Sequence, residues 1–529
     1  MKPRPSLATA LVLAACMAAL AACRPAATEQ TIHVEPWIRH LWSGEAVEFT
    51  VRVSVAGDAH DLSLGWEFEL GGAVLARGAS ALEVAKGTSA PVAVRFEAPQ
   101  VRHPCDVRWS LCLMRNQEEQ AHRALSLRVY PAWDPEPLRK LLCEPTVAIA
   151  DPSGSLLKPL SDLGLTARAV STAVALRAFD GRVILLAPGA GKAPDLVKAA
   201  LDAAAAGRTV LWLEPGDTSA WREPFGLPRA FANEPTPRLS LAPQHPALFS
   251  LTADDLSSWR DETAGFALAE PRGGNFRGLV TTIGNNAGFR ILELFPGSGR
   301  LVLCGLPVVG CFRAEPVARM LFESLLRYAL GDVPQFRPAT LWAPPESGLH
   351  ALADRAGVVL AEGIGAPESP LIVAADEPAL EYARRNEPSL AEKIRAHLHK
   401  GGKCIIIGAE PQSAAFLEGC GLRNVALTPA PERADLQPQS LPLTWGLSPQ
   451  QLNAAAHGGQ APLFPFAATA EDSQVAVEPG AIIKVRVGEG EAILCQISLG
   501  RAPDDPAALA VFRQLMTNLG VRLQLKDEQ

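Results

Sequence analysis

The feature that most constrains this chain is an internal repeat. From about residue 144 onward, six segments recur in the same order, 190 to 196 positions further along. Pro145-Thr-Val-Ala-Ile-Ala-Asp-Pro returns as Pro338-Ala-Thr-Leu-Trp-Ala-Pro-Pro, and Gly164-Leu165 as Gly357-Val358. Gly207-Arg-Thr-Val-Leu-Trp-Leu returns as Gly402-Lys-Cys-Ile-Ile-Ile-Gly, and Leu251–Leu256 as Leu447–Leu452. Gly297-Ser-Gly-Arg-Leu-Val-Leu-Cys304 matches Gly488-Glu-Gly-Glu-Ala-Ile-Leu-Cys495, and Glu315-Pro316 matches Asp505-Pro506. A repeat this long is a duplicated domain rather than a solenoid unit. Copy 1 spans 144–332 and copy 2 spans 336–526. In copy 1, apolar strands (Thr146–Ala150, Leu165–Val170, Val183–Ala187, Thr209–Leu213, Arg300–Cys304) alternate with helices (Leu156–Leu163, Pro194–Ala206, Pro316–Leu330). That alternation predicts a parallel sheet covered on both faces.

Residues 31–131 carry a different period. Val47, Phe49, Val51 and Val53 alternate with polar residues, as do Leu62, Leu64, Trp66, Phe68 and Leu70. Val107, Trp109, Leu111 and Leu113 follow, then Leu125, Leu127 and Val129. Period-2 alternation with turn residues such as Gly71-Gly72 predicts half-buried antiparallel strands, arranged as an immunoglobulin-like β-sandwich. Trp66 and Trp109 belong to its core. Pro131–Pro137 reads as a linker.

The chain begins Met-Lys-Pro-Arg and continues with an uncharged apolar stretch, Leu7–Ala22. Charge first, then a short apolar run, is the secretory leader pattern, and the run is short for a bilayer span. Leu20-Ala21-Ala22-Cys23 resembles the lipobox of bacterial lipoproteins. The resemblance implies cleavage of residues 1–22, a lipid on Cys23, and a membrane as partner. Arg24, in place of the aspartate that retains such proteins at the inner membrane, implies outer-membrane placement. Loss of Lys2 and Arg4 with the leader takes the formal charge from −7 to −9, which argues against a nucleic-acid partner. Of ten cysteines, eight follow Cys23, with no Cys-x-x-Cys among them, so no zinc cluster is expected. Export permits disulfides, for instance Cys105 with Cys112, without assigning any.

Each copy places a strand after a helix and a glycine, and ends with a Gly-x-Gly turn, a strand and a Pro-headed helix. Together these resemble the class I glutamine-amidotransferase-like, flavodoxin-like fold, in the non-catalytic form attached to bacterial glycoside hydrolases, including the trimerisation domain of family 42 β-galactosidases. The preceding sandwich resembles the immunoglobulin-like domains found beside them. The resemblance implies a carbohydrate context, polysaccharide or a glycoside hydrolase as partner, and a homo-oligomer. Working amidotransferases need Gly-x-Cys-x-Gly at the strand–helix elbow and a His-x-Glu after the late strand. Here the elbows read Leu213-Glu214-Pro215-Gly216 and Gly408-Ala409-Glu410-Pro411, and the late strands lead into Gly305-Leu306-Pro307 and Gln496-Ile497-Ser498. Nucleophile and base are missing from both, and no catalytic residue, metal or cofactor is expected.

Ligands of open parallel sheets sit beyond the carboxyl ends of the strands. That rule points to the loops after Ala187, Leu213, Ala374 and Ile407, with Glu214 and Glu410 as candidate ligand contacts. Cys304 and Cys495 read as buried apolar residues. Gly189-Ala-Gly-Lys192 lacks the remaining positions of a phosphate loop. His397 and His399, two apart on a helix, share no face and read as a solvated helix end. Asp254, Asp255 and Glu262 are acidic, but no barrel remains to seat them as a hydrolytic pair. Trp37, Trp42, Trp133, Trp221 and Trp259 fall in irregular stretches, where exposed rings would stack on sugars and buried ones would pack domains together. The expected function is extracytoplasmic binding or scaffolding. The alternative is a carbohydrate-active enzyme or its accessory subunit.

Overall fold

A computed structural model describes residues 31–524, apart from 36–37, 56–58, 85–87, 144, 217–221, 223–237, 243, 258, 260–264, 266, 284–287, 362–367, 432–433 and 458–463. The leader, Cys23, Trp37, Trp221 and Glu262 lie outside the described residues. The chain divides into two compact units, between Trp133 and Asp134.

The N-terminal unit is a β-sandwich. One sheet joins β1 (Thr31–Glu35), β3 (Ala46–Ser54) and β6 (Ser89–Glu97) in the order β1-β3-β6. The other takes the order β2-β8-β7-β4-β5, with β2 (His40–Trp42), β4 (Ala59–Leu70), β5 (Ala73–Val84), β7 (Cys105–Arg115) and β8 (Glu118–Tyr130). The period-2 pattern is the burial pattern: along β1 every second residue is buried. The core closes on aromatic side chains, with Trp109 stacked 5.0 Å from Phe68 and tilted 4.6 Å from Phe49. Trp66 is half-buried and lies across Gly78, its partner on β5, where a Cβ would sit 2.3 Å from the ring. Cys105 and Cys112 stand seven residues apart on one extended strand, roughly 23 Å at the usual rise, so they cannot pair with each other. All eight described cysteines are free thiols. The stretch read as a linker is shorter than expected, because a helix begins at Glu136, whose N–H is held by Asp134.

The second unit holds both copies. Copy 1 contributes β9 (Val147–Ala150), β10 (Val183–Leu186), β11 (Thr209–Leu213), β12 (Arg238–Leu241), β13 (Phe276–Ile283), β14 (Phe289–Leu294) and β15 (Arg300–Cys304). Their spatial order is β9-β10-β11-β15-β14-β13-β12. Copy 2 contributes β16 (Thr340–Trp342), β17 (Leu371–Ala374), β18 (Lys403–Ile407), β20 (Gln437–Pro438), β22 (Ser473–Glu478), β23 (Ile482–Val487) and β24 (Gly490–Cys495), in the order β16-β17-β18-β24-β23-β22-β20. Two further strands, β19 (Ala426–Pro429) and β21 (Phe466–Thr469), pair apart from that sheet.

The two seven-stranded sheets therefore have one topology: four parallel strands, then three antiparallel ones. The expectation of a wholly parallel sheet is corrected by the antiparallel half. β14 is buried at every position, so it carries none of the alternation that betrays an antiparallel strand. Leu165–Val170, expected as a strand, makes only a parallel bridge, Ala169 to Ile149, and copy 2 repeats it with Leu360 and Ala339.

The repeated sequence signatures are fold determinants. In the Gly-x-Gly turns the second glycine sits under the end of the preceding helix. A Cβ on Gly299 would lie 2.0 Å from Ala204 O, and one on Gly490 2.4 Å from Leu398 O. Glu315 and Asp505 cap the closing helices through the N–H groups of Val317 and Ala507, with Pro at the first turn. Thr252 and Asp255 cap each other's backbone, as do Ser448 and Gln451.

The copies are fused rather than strung in tandem. The closing helix of copy 2, Pro506–Leu519, packs on β13 of copy 1. Asn275 donates to Val521 O (2.8 Å) and Thr517 Oγ1 (3.2 Å), and accepts from Leu523 N (2.8 Å). Arg277 donates to Asn518 Oδ1 at 3.0 Å and pairs with the fully buried Glu293 at 2.9 Å. Glu293 also faces Arg300 at 3.6 Å, and Arg300 donates to the carbonyls closing the helix Pro316–Leu330. His245 stands between Tyr328 of copy 1 and Trp445 of copy 2. Burial, then the charges of Arg277 and Arg300, push its pKa down to about 2, so the ring is neutral.

Candidate functional site

The strand-end elbows can be placed by register. β11 pairs with β15 so that Leu213 lies beside Cys304, and β18 pairs with β24 so that Ile407 lies beside Cys495. The residues one step beyond are Glu214 and Gly408, and their N–H groups donate to the carbonyls of Cys304 (2.7 Å) and Cys495 (2.9 Å). Both are left-handed, at φ +50° and +71°. A side chain held there is strained by roughly 1–2 kcal/mol unless its surroundings compensate.

Glu214 has that compensation. Its Oε1 accepts from Val309 N (2.6 Å) and Gly310 N (3.2 Å) in the loop after β15. Burial pushes its carboxyl above the ordinary value, against the opposing pull of those two N–H bonds. A second carboxylate sits at the same end of the sheet, after β9. Asp151, one step past β9, accepts from Leu156 N and Leu157 N (2.8 Å each) and from Ser155 N (3.1 Å). Burial alone would raise its pKa; those N–H donors and the Ser153 hydroxyl together hold it below the ordinary value. Copy 1 thus answers its strand-end donors with its own carboxylates.

Copy 2 has Pro344 where copy 1 has Asp151, and Gly408 where copy 1 has Glu214. Its strand ends enclose a cleft of ≈ 70 Å³ lined by Ser347, Asp376, Gly408, Ser498 and Arg501, with the backbone of Gly348 and Gly500. Gly348 and Gly500 touch so closely that a Cβ on Gly348 would lie 1.8 Å from Gly500 O. Ser347 and Asp376 cap the helices Gly348–Ala356 and Glu377–Asn386. Arg501 pairs with Glu410 at 2.7 Å, and Glu410 also accepts from Gln412 (2.6 Å). The two glutamates singled out in the sequence are therefore not equivalent: Glu214 fills an elbow, and Glu410 holds an arginine at the rim of a cleft.

Other candidates resolve into structural roles. Cys304 and Cys495 are fully buried, and burial pushes both thiols up to about 12. Ala190–Lys192 forms a short turn leading into the helix Pro194–Ala205. The expectation of a solvated histidine pair is corrected in half. His397 is buried over Gly402, where a Cβ would sit 2.2 Å from the ring, and burial lowers its pKa; His399 is exposed. Asp255 is fully buried in its capping box. Trp259 is buried and donates to Asp255 O at 2.9 Å, while Trp42 and Trp133 are half-buried. Among the described residues no three His, Cys, Asp or Glu side chains group closely enough to hold a metal. No described helix is long and apolar enough to cross a membrane. Sequence reasoning missed Asp151 and Arg501. Asp151 begins an Asp-Pro-Ser-Gly-Ser turn, a signal that was legible.

No family model matches the chain, and no curated protein does. Among solved structures, the chain is similar to a CARDB domain from Pyrococcus furiosus, at 8% identity over 19% of this chain and 94% of that one, with a TM-score of 0.15. It is similar to a β-glucosidase from Listeria innocua, at 13% identity over 20% of this chain and 17% of that one, with a TM-score of 0.16. It is also similar to an exo-β-1,4-mannosidase from Opitutaceae bacterium strain TAV5, at 17% identity over 37% of this chain and 38% of that one, with a TM-score of 0.25.

Proposed function

We propose that this chain is an exported, lipid-anchored binding protein, with an immunoglobulin-like domain and two amidotransferase-like α/β copies, whose ligand carries sugar. The observation that carries the binding reading is the contrast at the strand ends. Copy 1 fills its elbow with Glu214, whereas copy 2 leaves Gly408 beside a small cleft. Counting the bridging segments at Ala169 and Leu360, each parallel half runs 2-1-3-4-5, which supports the flavodoxin-like reading, in which ligands lie at that end of the strands. The carbohydrate part of the proposal rests on the sequence resemblance to modules of glycoside hydrolases. At ≈ 70 Å³ the cleft is well under the roughly 300 Å³ of a whole small-molecule site, so it takes one group of a larger ligand.

A glycan array probed with the full chain and with Gly408→Glu tests this. The substitution installs copy 1's carboxylate in copy 2. The expected result is binding to a glycan subset, weakened about tenfold in the variant. Silence across the array, or equal binding by both proteins, would overturn it. The anchor is tested separately: labelled palmitate enters the wild type and not Cys23→Ser, and equal labelling would refute the lipid.

A further inference from the structure

Copy 2 holds a second cavity, at the opposite end of its parallel strands. It measures ≈ 220 Å³ and is lined by Arg395, His399, Arg423 and Arg486, and by the carboxylates Glu471 and Asp472. The basic groups come from three elements: Arg395 and His399 from the helix Leu390–His399, Arg423 from the loop after the helix Ala414–Gly419, and Arg486 from β23. Arg395 and Arg423 form no ion pair with a described residue. Arg486 reaches only the carbonyl of Gly488, at 3.4 Å. Glu471 accepts from Asn424 at 2.9 Å. Two left-handed glycines shape the wall. A Cβ on Gly421 would lie 2.9 Å from Val487, and one on Gly488 2.5 Å from His399 Nδ1.

The duplicated scaffold does not require these charges. By sheet register and helix position, copy 1 has Leu201, Ala205 and Phe295 where copy 2 has Arg395, His399 and Arg486. Phe295 there is buried against Phe336, with ring centroids 4.8 Å apart. One copy thus builds an apolar contact at this place, and the other gathers guanidinium groups around an open cavity in a chain of net charge −7. Guanidinium forks match oxyanions, and the two carboxylates accept from hydroxyls.

We infer that this cavity binds an acidic sugar, its anionic group on Arg395, Arg423 and Arg486 and its hydroxyls toward Glu471 and Asp472. The inference rests on the sugar-binding reading above and names its ligand class. Calorimetric titration of the full chain with oligogalacturonate, neutral cellotriose and inorganic sulfate tests it. Oligogalacturonate is expected to bind, to weaken as salt is raised, and to lose about tenfold or more in Arg395→Ala/Arg423→Ala. Both arginines are solvent-exposed, so the variant keeps the wild-type melting temperature. Equal binding by wild type and variant, or sulfate bound as tightly as the sugar acid, would overturn the inference. Binding of cellotriose without oligogalacturonate would overturn it while leaving the proposed function standing. Failure of every sugar, here and on the array, would remove both.

Discussion

One diagonal ion pair between adjacent strands shows how the copies have diverged. In copy 1, Glu293 on β14 faces Arg300 on β15 at 3.6 Å, both fully buried. At the equivalent positions of copy 2 the charges are exchanged: Lys484 on β23 meets Glu491 on β24 at 3.0 Å, with side chains 30% and 40% exposed. The backbone geometry is shared, but the surroundings are not. Copy 1's pair lies in the interface where the last helix of copy 2 packs, through Arg277 and Asn518. Copy 2's pair is partly exposed to water. The same contrast recurs at the strand ends, where Glu214 bonds the loop after β15 and Gly408 stands beside a small cleft.

The largest expected effect follows from the buried pair. Glu293→Ala strands Arg277 and Arg300 without their counter-charge and should cost about 3–5 kcal/mol in urea unfolding. A loss under 1 kcal/mol would mean that the fused interface does not depend on this network. Next comes a pH effect at the elbow of copy 1. The Glu214 carboxyl is raised above 4.5, so in the window between 4.5 and its raised value the folded chain holds a proton that the unfolded chain has released. Stability therefore falls as pH rises through that window, and Glu214→Gln should flatten this part of a melting-temperature profile. An unchanged slope in Glu214→Gln would assign the effect elsewhere. The smallest effect belongs to the partly exposed pair: Lys484→Ala should cost no more than about 1 kcal/mol. If the Glu293 and Lys484 variants were destabilised equally, the difference in burial would not be what separates the copies.

Much of this architecture was legible in the chain. Alternation along Val47–Val53 and Val107–Leu113 located sandwich strands, and the repeat located equivalent elements in both copies. The antiparallel halves were not legible, because strands such as Phe289–Leu294 are buried on both faces and carry no period. The fusion was hidden for another reason: Arg277 and Asn518 meet across 241 positions, with no local pattern linking them. At the candidate site, the elbow position of Glu214 was readable. Its bond to the loop after β15 was not, since it depends on how far that loop folds back. The Thr252-x-x-Asp255 and Ser448-x-x-Gln451 boxes were readable as helix caps. Read that way, they explain why this repeated element speaks to fold and not to chemistry.

The most direct test exchanges the two elbows. Oligosaccharide affinity is measured for wild type, for Glu214→Gly and for Gly408→Glu, each checked for a cooperative melt. Retained affinity in Glu214→Gly with about tenfold loss in Gly408→Glu is the predicted result. Loss in Glu214→Gly with full affinity in Gly408→Glu would contradict the assignment of the binding elbow to copy 2.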